Sequence, residues 1–288
     1  MSGAMGTHAD ASASGAPAAA PRADAGGAAT PGAAAPALHV DRLGKRYGDF
    51  TALSDVTLTV PPGARHALIG PNGAGKTTLI DLLSGLARPS AGTIRLGDDD
   101  ITALPAERRA RLGIVRTFQV NALFPLLTPF EAASLAVAER QGLGRVWWRP
   151  LARYGAIADE AHEWLARFGL AAHARTPTAA LPYGRQRLLE IVLALAARPR
   201  ILLLDEPAAG IPAGESAGLF DALGALPADM TVLLIEHDMD LVFRFARRIT
   251  VLAGGAVLAD GTPADIAADA RVQEAYLGTS VPAAARHG

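Results

Sequence analysis

The feature that most constrains the fold is a glycine-rich segment, Gly70-Pro71-Asn72-Gly73-Ala74-Gly75-Lys76-Thr77, followed by Thr78. It matches the pattern Gly-x-x-x-x-Gly-Lys-Ser/Thr and lies between a short apolar run, His66–Ile69, and an expected helix, Thr77–Leu86. The glycines let the backbone curl so that its N–H groups face phosphate oxygens, and the helix N-terminus adds its positive end. In such a loop the Lys76 ammonium contacts the β and γ phosphates, and the Thr77 hydroxyl is a ligand for Mg²⁺. The segment therefore predicts a strand–loop–helix unit that binds a nucleotide.

Composition excludes several classes of protein. The 288 residues carry 27 Lys+Arg against 28 Asp+Glu, a formal net charge of −1, so a nucleic-acid binder acting through a strongly basic surface is not expected. The chain has no cysteine, which excludes disulfides, thiolate metal sites and a cysteine nucleophile. No apolar run approaches the roughly 20 residues that span a bilayer, so we expect any membrane contact to depend on a partner.

The chain divides into two tails and one folded region. We expect residues 1–37, which are rich in Ala, Gly, Ser and Pro, to be a disordered tail because they cannot bury enough apolar surface, and residues 279–288 to be a second one. Alternating strand and helix patterns in residues 38–278 indicate an α/β domain with a largely parallel, buried sheet. Within it, apolar residues at helical spacing between Ile157 and Phe168 predict a helical insertion at about 120–185.

Two carboxylates follow an apolar strand. The run Ile201–Leu204 is followed by Asp205 and Glu206. A strand of this kind places Asp205 at the carboxyl edge of the sheet, beside the glycine-rich loop, where it can hold Mg²⁺ directly or through water. Glu206 is then placed to polarise a water molecule aimed at the γ-phosphate.

Three further features narrow the class of nucleotide enzyme. Gln119 follows Ile114–Phe118, the segment Leu181–Gln186 opens a helix, and His237 follows the strand Val232–Ile235. Each alone has an ordinary structural explanation. Together with the loop and the carboxylates, in this order, they resemble the ATP-binding cassette (ABC) ATPases of membrane transporters, and the resemblance covers about residues 38–278.

The resemblance implies a fold and a set of roles. The implied fold is an α/β P-loop NTPase with a small N-terminal antiparallel β part and an inserted helical subdomain; the implied cofactors are ATP and Mg²⁺. Glu206, His237 and Gln119 would be catalytic, with His237 contacting the γ-phosphate and Gln119 contacting Mg²⁺ and the membrane partner. Tyr47 would stack on adenine, and Gly184 would meet ATP bound to the opposite subunit.

A dimer follows from the placement of Gly184. The glycine-rich loop covers one side of the triphosphate, and Gly184 opens a helix on the far side of the insertion, so we expect two subunits to enclose two ATP molecules between them.

Two departures from the family pattern bear on this. Pro182 replaces a serine, which removes a hydroxyl and an N–H, and Pro212 stands where an aspartate is usual. Both weaken the case for communication between the two sites, but Glu206 and His237 are present, so hydrolysis is still expected.

Finer matches resemble the ATP-binding subunits of branched-chain amino-acid importers. They are Arg116–Gln119, Tyr183–Arg187, Leu188–Ile191, Pro207–Gly210, Ile235–Met239, Gly261–Pro263 and Ala275–Gly278. Importers of urea or short amides share most of these, and the lipopolysaccharide-export ATPase shares the C-terminal Tyr-Leu-Gly ending, so these systems remain alternatives. A non-transport P-loop phosphotransferase and a regulatory subunit without turnover also remain open.

The resemblance also implies partners and a location. We expect two integral-membrane permease subunits and a second ABC ATPase in a homo- or heterodimer. The permeases would dock near Gln119 at the apolar stretch Val120–Leu127, for which packing in the core is the alternative explanation. A substrate-binding protein would act indirectly, and no nucleic acid is expected. The location implied is the cytoplasmic face of the bacterial inner membrane. The transported substrate is not encoded in this chain.

Overall fold

A computed structural model describes residues 37–117, 123–143, 155–211 and 213–277, without the side chains of residues 213–217. Apart from Ala37, the predicted tails at 1–37 and 279–288 lie outside these ranges, as do Gln119 and Pro212.

The described strands form two sheets. In chain order they are β1 (Leu38–Tyr47), β2 (Phe50–Val60), β3 (Arg65–Ile69), β4 (Ala91–Leu96), β5 (Asp99–Asp100), β6 (Ile114–Arg116), β7 (Ile201–Asp205), β8 (Thr231–Ile235), β9 (Arg248–Ala253) and β10 (Ala256–Gly261).

The smaller sheet is antiparallel, with strand order β2-β1-β4-β5. Leu38 of β1 pairs with Val60 on one side and Leu96 on the other. The alternation of Val56, Leu58 and Val60 with polar residues corresponds to alternate buried and exposed faces, as its period of two requires. This confirms the small N-terminal antiparallel part.

The larger sheet has the order β10-β9-β3-β8-β7-β6, and all its neighbouring strands are parallel except the hairpin β9–β10. Every residue of β3, β7 and β8 is buried because both faces of the sheet are covered. Leu203 and Leu233 face the core shared with the antiparallel sheet. Leu202 and Leu234 face the core shared with the helices that follow residue 128.

The helices of the described ranges include the predicted ones after the glycine-rich loop, within the insertion and after Leu181. They are α1 (Lys76–Ser84), α2 (Ala106–Arg111), α3 (Pro129–Arg140), α4 (Gly155–Arg167), α5 (Tyr183–Ala196), α6 (Ala213–Gly224), α7 (Met239–Phe245), α8 (Pro263–Ala268) and α9 (Ala270–Leu277). Within the described ranges, none of them combines the length and the apolarity needed to cross a membrane.

Helices α3, α4 and α5 pack against one another as a helical layer. A capping box of Thr128 and Glu131 begins α3. At its other end, Arg140 donates hydrogen bonds to both carboxylate oxygens of Glu160 in α4, at 2.6 and 2.7 Å, and to the carbonyl oxygen of Ala196 in α5 at 2.9 Å. One arginine thus ties all three helices together.

Parallel pairing brings the functional loops to one edge. Because β3, β6, β7 and β8 run in the same direction, the residues after Ile69, Arg116, Asp205 and Ile235 all emerge at their carboxyl ends. Ligands of open α/β sheets bind at this edge.

Candidate functional site

The glycine-rich loop connects β3 directly to α1. Its last glycine, Gly75, caps α1 with φ 99°, a conformation that disfavours residues with a Cβ atom. A Cβ at this position would lie 2.8 Å from the carbonyl oxygen of Ala52 and 2.6 Å from Cδ2 of Leu53. The close approach of β2 therefore requires glycine here. Asn72, Gly73 and Thr77 are exposed on the loop.

Lys76 is held inside this loop. Its side-chain Nζ donates hydrogen bonds to the carbonyl oxygens of Gly70 at 2.6 Å and Pro71 at 3.0 Å. Burial lowers the pKa of Lys76, and the charges of Glu206 and Asp205 oppose that shift. The ammonium group thus lies within the electrostatic reach of both predicted carboxylates, as the sequence pattern implied.

Asp205 is 1% exposed, and its two carboxylate oxygens have different surroundings. Oδ2 accepts a hydrogen bond from Nη2 of Arg116 at 2.8 Å, and Nη1 of Arg116 donates to Oδ1 of Asp81 at 2.5 Å. Oδ1 of Asp205 is buried and has no hydrogen-bond partner within the described part of the chain. A buried anionic oxygen of this kind calls for a ligand, and with the Thr77 hydroxyl it fits the oxygen donors that Mg²⁺ prefers.

Glu206 and His237 lie next to each other. Oε1 of Glu206 is 3.6 Å from Nδ1 of His237, and their side chains are 28% and 56% exposed. The backbone N–H of Glu206 donates to the carbonyl oxygen of Ile235 at 3.0 Å, which joins the ends of β7 and β8. A carboxylate and an imidazole, both reachable by solvent, can together bind and polarise a water molecule.

Sequence reasoning missed Glu236, which directly precedes His237 and is 3% exposed. Its Oε1 accepts the N–H of Ala208 at 3.0 Å, and its Oε2 accepts the N–H of His237 at 3.3 Å. Burial raises the pKa of Glu236, while the two N–H donors oppose that rise. The sequence feature that could have pointed to Glu236 was its position directly after the apolar strand β8.

Tyr276 was quoted only as part of a family match, but the structure places it at the loop. Its hydroxyl oxygen accepts a hydrogen bond from the backbone N–H of Gly70, and burial raises the pKa of Tyr276 to about 12. Helix α9 therefore contacts the first residue of the glycine-rich loop.

The structure brings some of the predicted site residues together and places others elsewhere. Lys76, Asp205, Glu206 and His237 lie at the carboxyl edge of the parallel sheet. Gly184 is buried in the first turn of α5, in the helical layer. Tyr47 ends β1 with its ring 49% exposed, and the side-chain Nζ of Lys45 lies 4.7 Å from the ring centroid. Gln119 lies outside the described residues.

These observations define the class of the protein. A parallel sheet in which an interior strand, β3, leads into a lysine-bearing glycine loop, and in which a buried Asp and a Glu follow the strand two positions away, β7, is a P-loop nucleotide-binding fold. Families within that class differ in the strands at the sheet edges, in the antiparallel sheet and in the inserted helices.

Comparison with known proteins identifies the family to which this P-loop protein belongs. The family model described as ABC transporter matches residues 53–209, and one described as branched-chain amino acid ATP-binding cassette transporter matches residues 256–282. The chain belongs to the ATP-binding cassette family and is an ATPase that binds nucleotide. The predictions of family and fold are confirmed.

Relatives and solved structures agree with this assignment. The high-affinity branched-chain amino acid transport ATP-binding protein LivG of Escherichia coli (strain K12) is 41% identical over 252 residues, which are 84% of this chain and 98% of LivG. The ADP conformation of MJ1267, an ATP-binding cassette, superposes with a TM-score of 0.73 at 28% identity, covering 84% of this chain and 99% of that one. The dimeric structure of MJ0796, a bacterial ABC transporter cassette, has a TM-score of 0.68 at 25% identity, covering 78% and 98%.

Proposed function

We propose that this chain is the ATP-binding and ATP-hydrolysing subunit of an importer of branched-chain amino acids or of related amino acids and amides. The observation that carries the proposal is the 41% identity to LivG across 84% of the chain. The match of residues 256–282 to the branched-chain family model supports it independently, because that segment lies beyond the general cassette match at 53–209.

The site supports a hydrolytic role with defined parts. Residues 70–78 surround the phosphates of ATP, which bind to backbone N–H groups within residues 72–78 and to the ammonium of Lys76. The Thr77 hydroxyl, the free Oδ1 of Asp205 and the side chain of Gln119 would hold Mg²⁺, which when bound neutralises charge on the phosphates. Glu206 accepts a proton from the attacking water, and His237, 3.6 Å from it, contacts the γ-phosphate.

Gly184 and Tyr47 complete the proposed nucleotide site. Tyr47 offers an exposed aromatic face to the adenine, and Gly184 on α5 faces the ATP bound by a second ABC ATPase, which is this chain or a homologue. The dimeric cassette structure of MJ0796 supports such an assembly.

The proposed membrane partners are two permease subunits, with a substrate-binding protein acting through them. Phe124 and Leu126, within the predicted docking segment, are 66% and 89% exposed, and apolar exposure of this degree suits a docking surface. The rest of that segment, residues 120–122, lies outside the described ranges. We propose accordingly that the chain lies at the cytoplasmic face of a bacterial inner membrane.

The hydrolytic assignment is tested with Glu206→Gln in the full chain. We expect MgATP hydrolysis to fall by about 10²- to 10⁴-fold, the usual contribution of a general base, while ATP binding persists. Glu163→Gln, which changes an exposed glutamate of α4, is the matched control and should retain wild-type turnover. Unchanged hydrolysis in Glu206→Gln would contradict the role given to Glu206.

The substrate is tested in proteoliposomes that hold the chain with its cognate permeases and substrate-binding protein. We expect ATP-driven uptake of labelled leucine, isoleucine or valine. Uptake of urea instead, or ATP-driven extraction of lipopolysaccharide, would favour one of the alternative ABC systems. Transfer of labelled phosphate to a small acceptor instead of water would favour a phosphotransferase.

A further inference from the structure

Glu206 has an unusual backbone conformation. Its φ is +48°, in the left-handed region that residues with a Cβ atom rarely adopt. Such a conformation persists only where surrounding contacts enforce it, and it is typical of functional positions. The contacts that enforce it here therefore bear on how the Glu206 carboxylate is aimed. The importance of these contacts for hydrolysis depends on the catalytic role proposed for Glu206.

One enforcing contact comes from helix α5. Arg187 is 4% exposed; its Nη1 donates to Oε2 of Glu190 at 2.6 Å, and its Nη2 donates to the carbonyl oxygen of Glu206 at 3.3 Å. The same carbonyl accepts the N–H of Ala209 at 3.0 Å, which closes a turn after Glu206. The planar guanidinium can make both contacts at once because its N–H groups point in fixed, different directions.

A second contact from α5 holds the other end of the turn. The Tyr183 ring lies against Gly210, where a Cβ atom would be 2.4 Å from Cε1 of the ring, and Gly210 has φ +74°. Between these points, Glu236 accepts the N–H of Ala208. The segment 206–210 is therefore fixed to α5 at both ends and to the end of β8 in the middle.

Arg187 lies one helical turn after Gly184, so both move with the same rigid helix. We propose that Arg187 is a positioning residue that transmits the position of α5 to the backbone of Glu206. When Gly184 engages the nucleotide of the facing subunit, the Arg187 contact sets the aim of the Glu206 carboxylate in its own chain. This links the two ATP sites within one subunit through a route that uses neither Pro182 nor Pro212.

The test removes the Arg187 contact without leaving a buried charge. In Arg187→Leu/Glu190→Leu the ion pair is lost as a unit, and in Arg187→Lys the charge beside Glu190 stays while the contact with Glu206 is lost. We expect kcat for MgATP hydrolysis to fall about 10- to 100-fold in both, as displaced catalytic groups do, with the Kd for a fluorescent ATP analogue unchanged. Amide hydrogen exchange at residues 206–211 should rise.

The matched control is Arg140→Leu/Glu160→Leu, which removes an arginine–glutamate pair at the opposite end of α5. It should keep wild-type kcat and wild-type exchange at residues 206–211. Wild-type kcat and exchange in the Arg187 variants, in a protein where Glu206→Gln abolishes hydrolysis, would overturn the inference. An equal loss of kcat in the control would overturn it too, since the effect would then be loss of helical packing. Normal hydrolysis by Glu206→Gln would instead overturn the proposed catalytic role.

Discussion

Among the charged side chains, the buried ones determine the geometry of the site. The Arg116 side chain is 7% exposed and forms ion pairs with both Asp81 and Asp205, which lie 35 and 89 residues away in the sequence. Arg244 and Asp221, by contrast, form an ion pair in which both side chains are more than half exposed, and such surface pairs contribute little to stability. Arg116 therefore fixes the orientation of Asp205, which leaves Oδ1 free.

A single buried histidine also predicts that the stability of the protein depends on pH. His66 in β3 is fully buried and its Nε2 lies 2.8 Å from the hydroxyl of Thr250; burial lowers the pKa of His66 to about 4, with Asp260 opposing and Arg248 adding to the shift. Because the folded pKa lies below the unfolded value of about 6.5, the unfolded chain binds the proton more readily. The contribution of neutral, buried His66 to the free energy of unfolding is thus fully present above about pH 6.5. It is lost as the pH falls toward 4, at a cost of about 3 kcal/mol.

Urea denaturation of the nucleotide-free protein at pH 7 and pH 4 measures this. The free energy of unfolding of His66→Gln should depend on pH less steeply than that of the wild type, by about 3 kcal/mol over this interval. His39→Gln, which changes an exposed histidine of β1, should retain the wild-type dependence. Equal pH dependence in the wild type and His66→Gln would contradict the prediction.

At the scale of elements, strand–loop–helix geometry is what shapes the phosphate cradle. Strand β3 lies between β9 and β8, so its carboxyl end is in the interior of the larger sheet. The loop that leaves it packs against β2 at Ala52 and Leu53 and against α9 at Tyr276. The cradle therefore depends on both sheets and on the C-terminal helix, and not on the glycine-rich segment alone.

Gly75→Ala tests this dependence. The new Cβ would meet the backbone of Ala52 as well as adopt φ 99°, so we expect ATP affinity to fall at least about tenfold, or about 1.4 kcal/mol. Gly142→Ala is the control, because Gly142 also has a positive φ, of 72°, but nothing lies within 4 Å of its added Cβ. The control should lose some stability to backbone strain, about 1 kcal/mol, and keep its ATP affinity. Wild-type affinity in Gly75→Ala, measured by calorimetry, would show that the loop can shift without cost.

At the scale of the whole molecule, the catalytic edge and Gly184 belong to different layers. Lys76, Asp205 and Glu206 lie at the carboxyl edge of the parallel sheet, whereas Gly184 lies in the first turn of α5 in the helical layer. Two subunits arranged head to tail would bring Gly184 of each to the nucleotide of the other. ATP would then stabilise the dimer, and hydrolysis would weaken it.

Glu206→Gln should therefore form an ATP-dependent dimer. With saturating MgATP we expect light scattering to report twice the monomer mass, and with MgADP the mass of one chain. Lys76→Ala added to Glu206→Gln should remain monomeric because the phosphates lose their ammonium partner. A Glu206→Gln protein that stays monomeric with saturating MgATP, even with its cognate membrane subunits, would exclude the shared nucleotide site.

The sequence by itself determined the features that depend on neighbouring residues. Period-two alternation predicted β2, helical spacing predicted α4 and α5, and the glycine-rich motif predicted the loop and the helix after it, because each pattern extends over only a few turns or strand residues. The order of motifs was enough to identify the family before any distance was known.

Tertiary structure decided the contacts that support the site. The contacts of Arg116 with Asp205, of Arg187 with the Glu206 carbonyl and of Tyr276 with Gly70 join residues 19 to more than 200 positions apart. Sequence patterns do not specify them because they depend on which strands become neighbours in the sheet and which helix covers each strand end. The positive φ of Glu206 and the lowered pKa of His66 likewise arise only when packing forces the backbone and removes water.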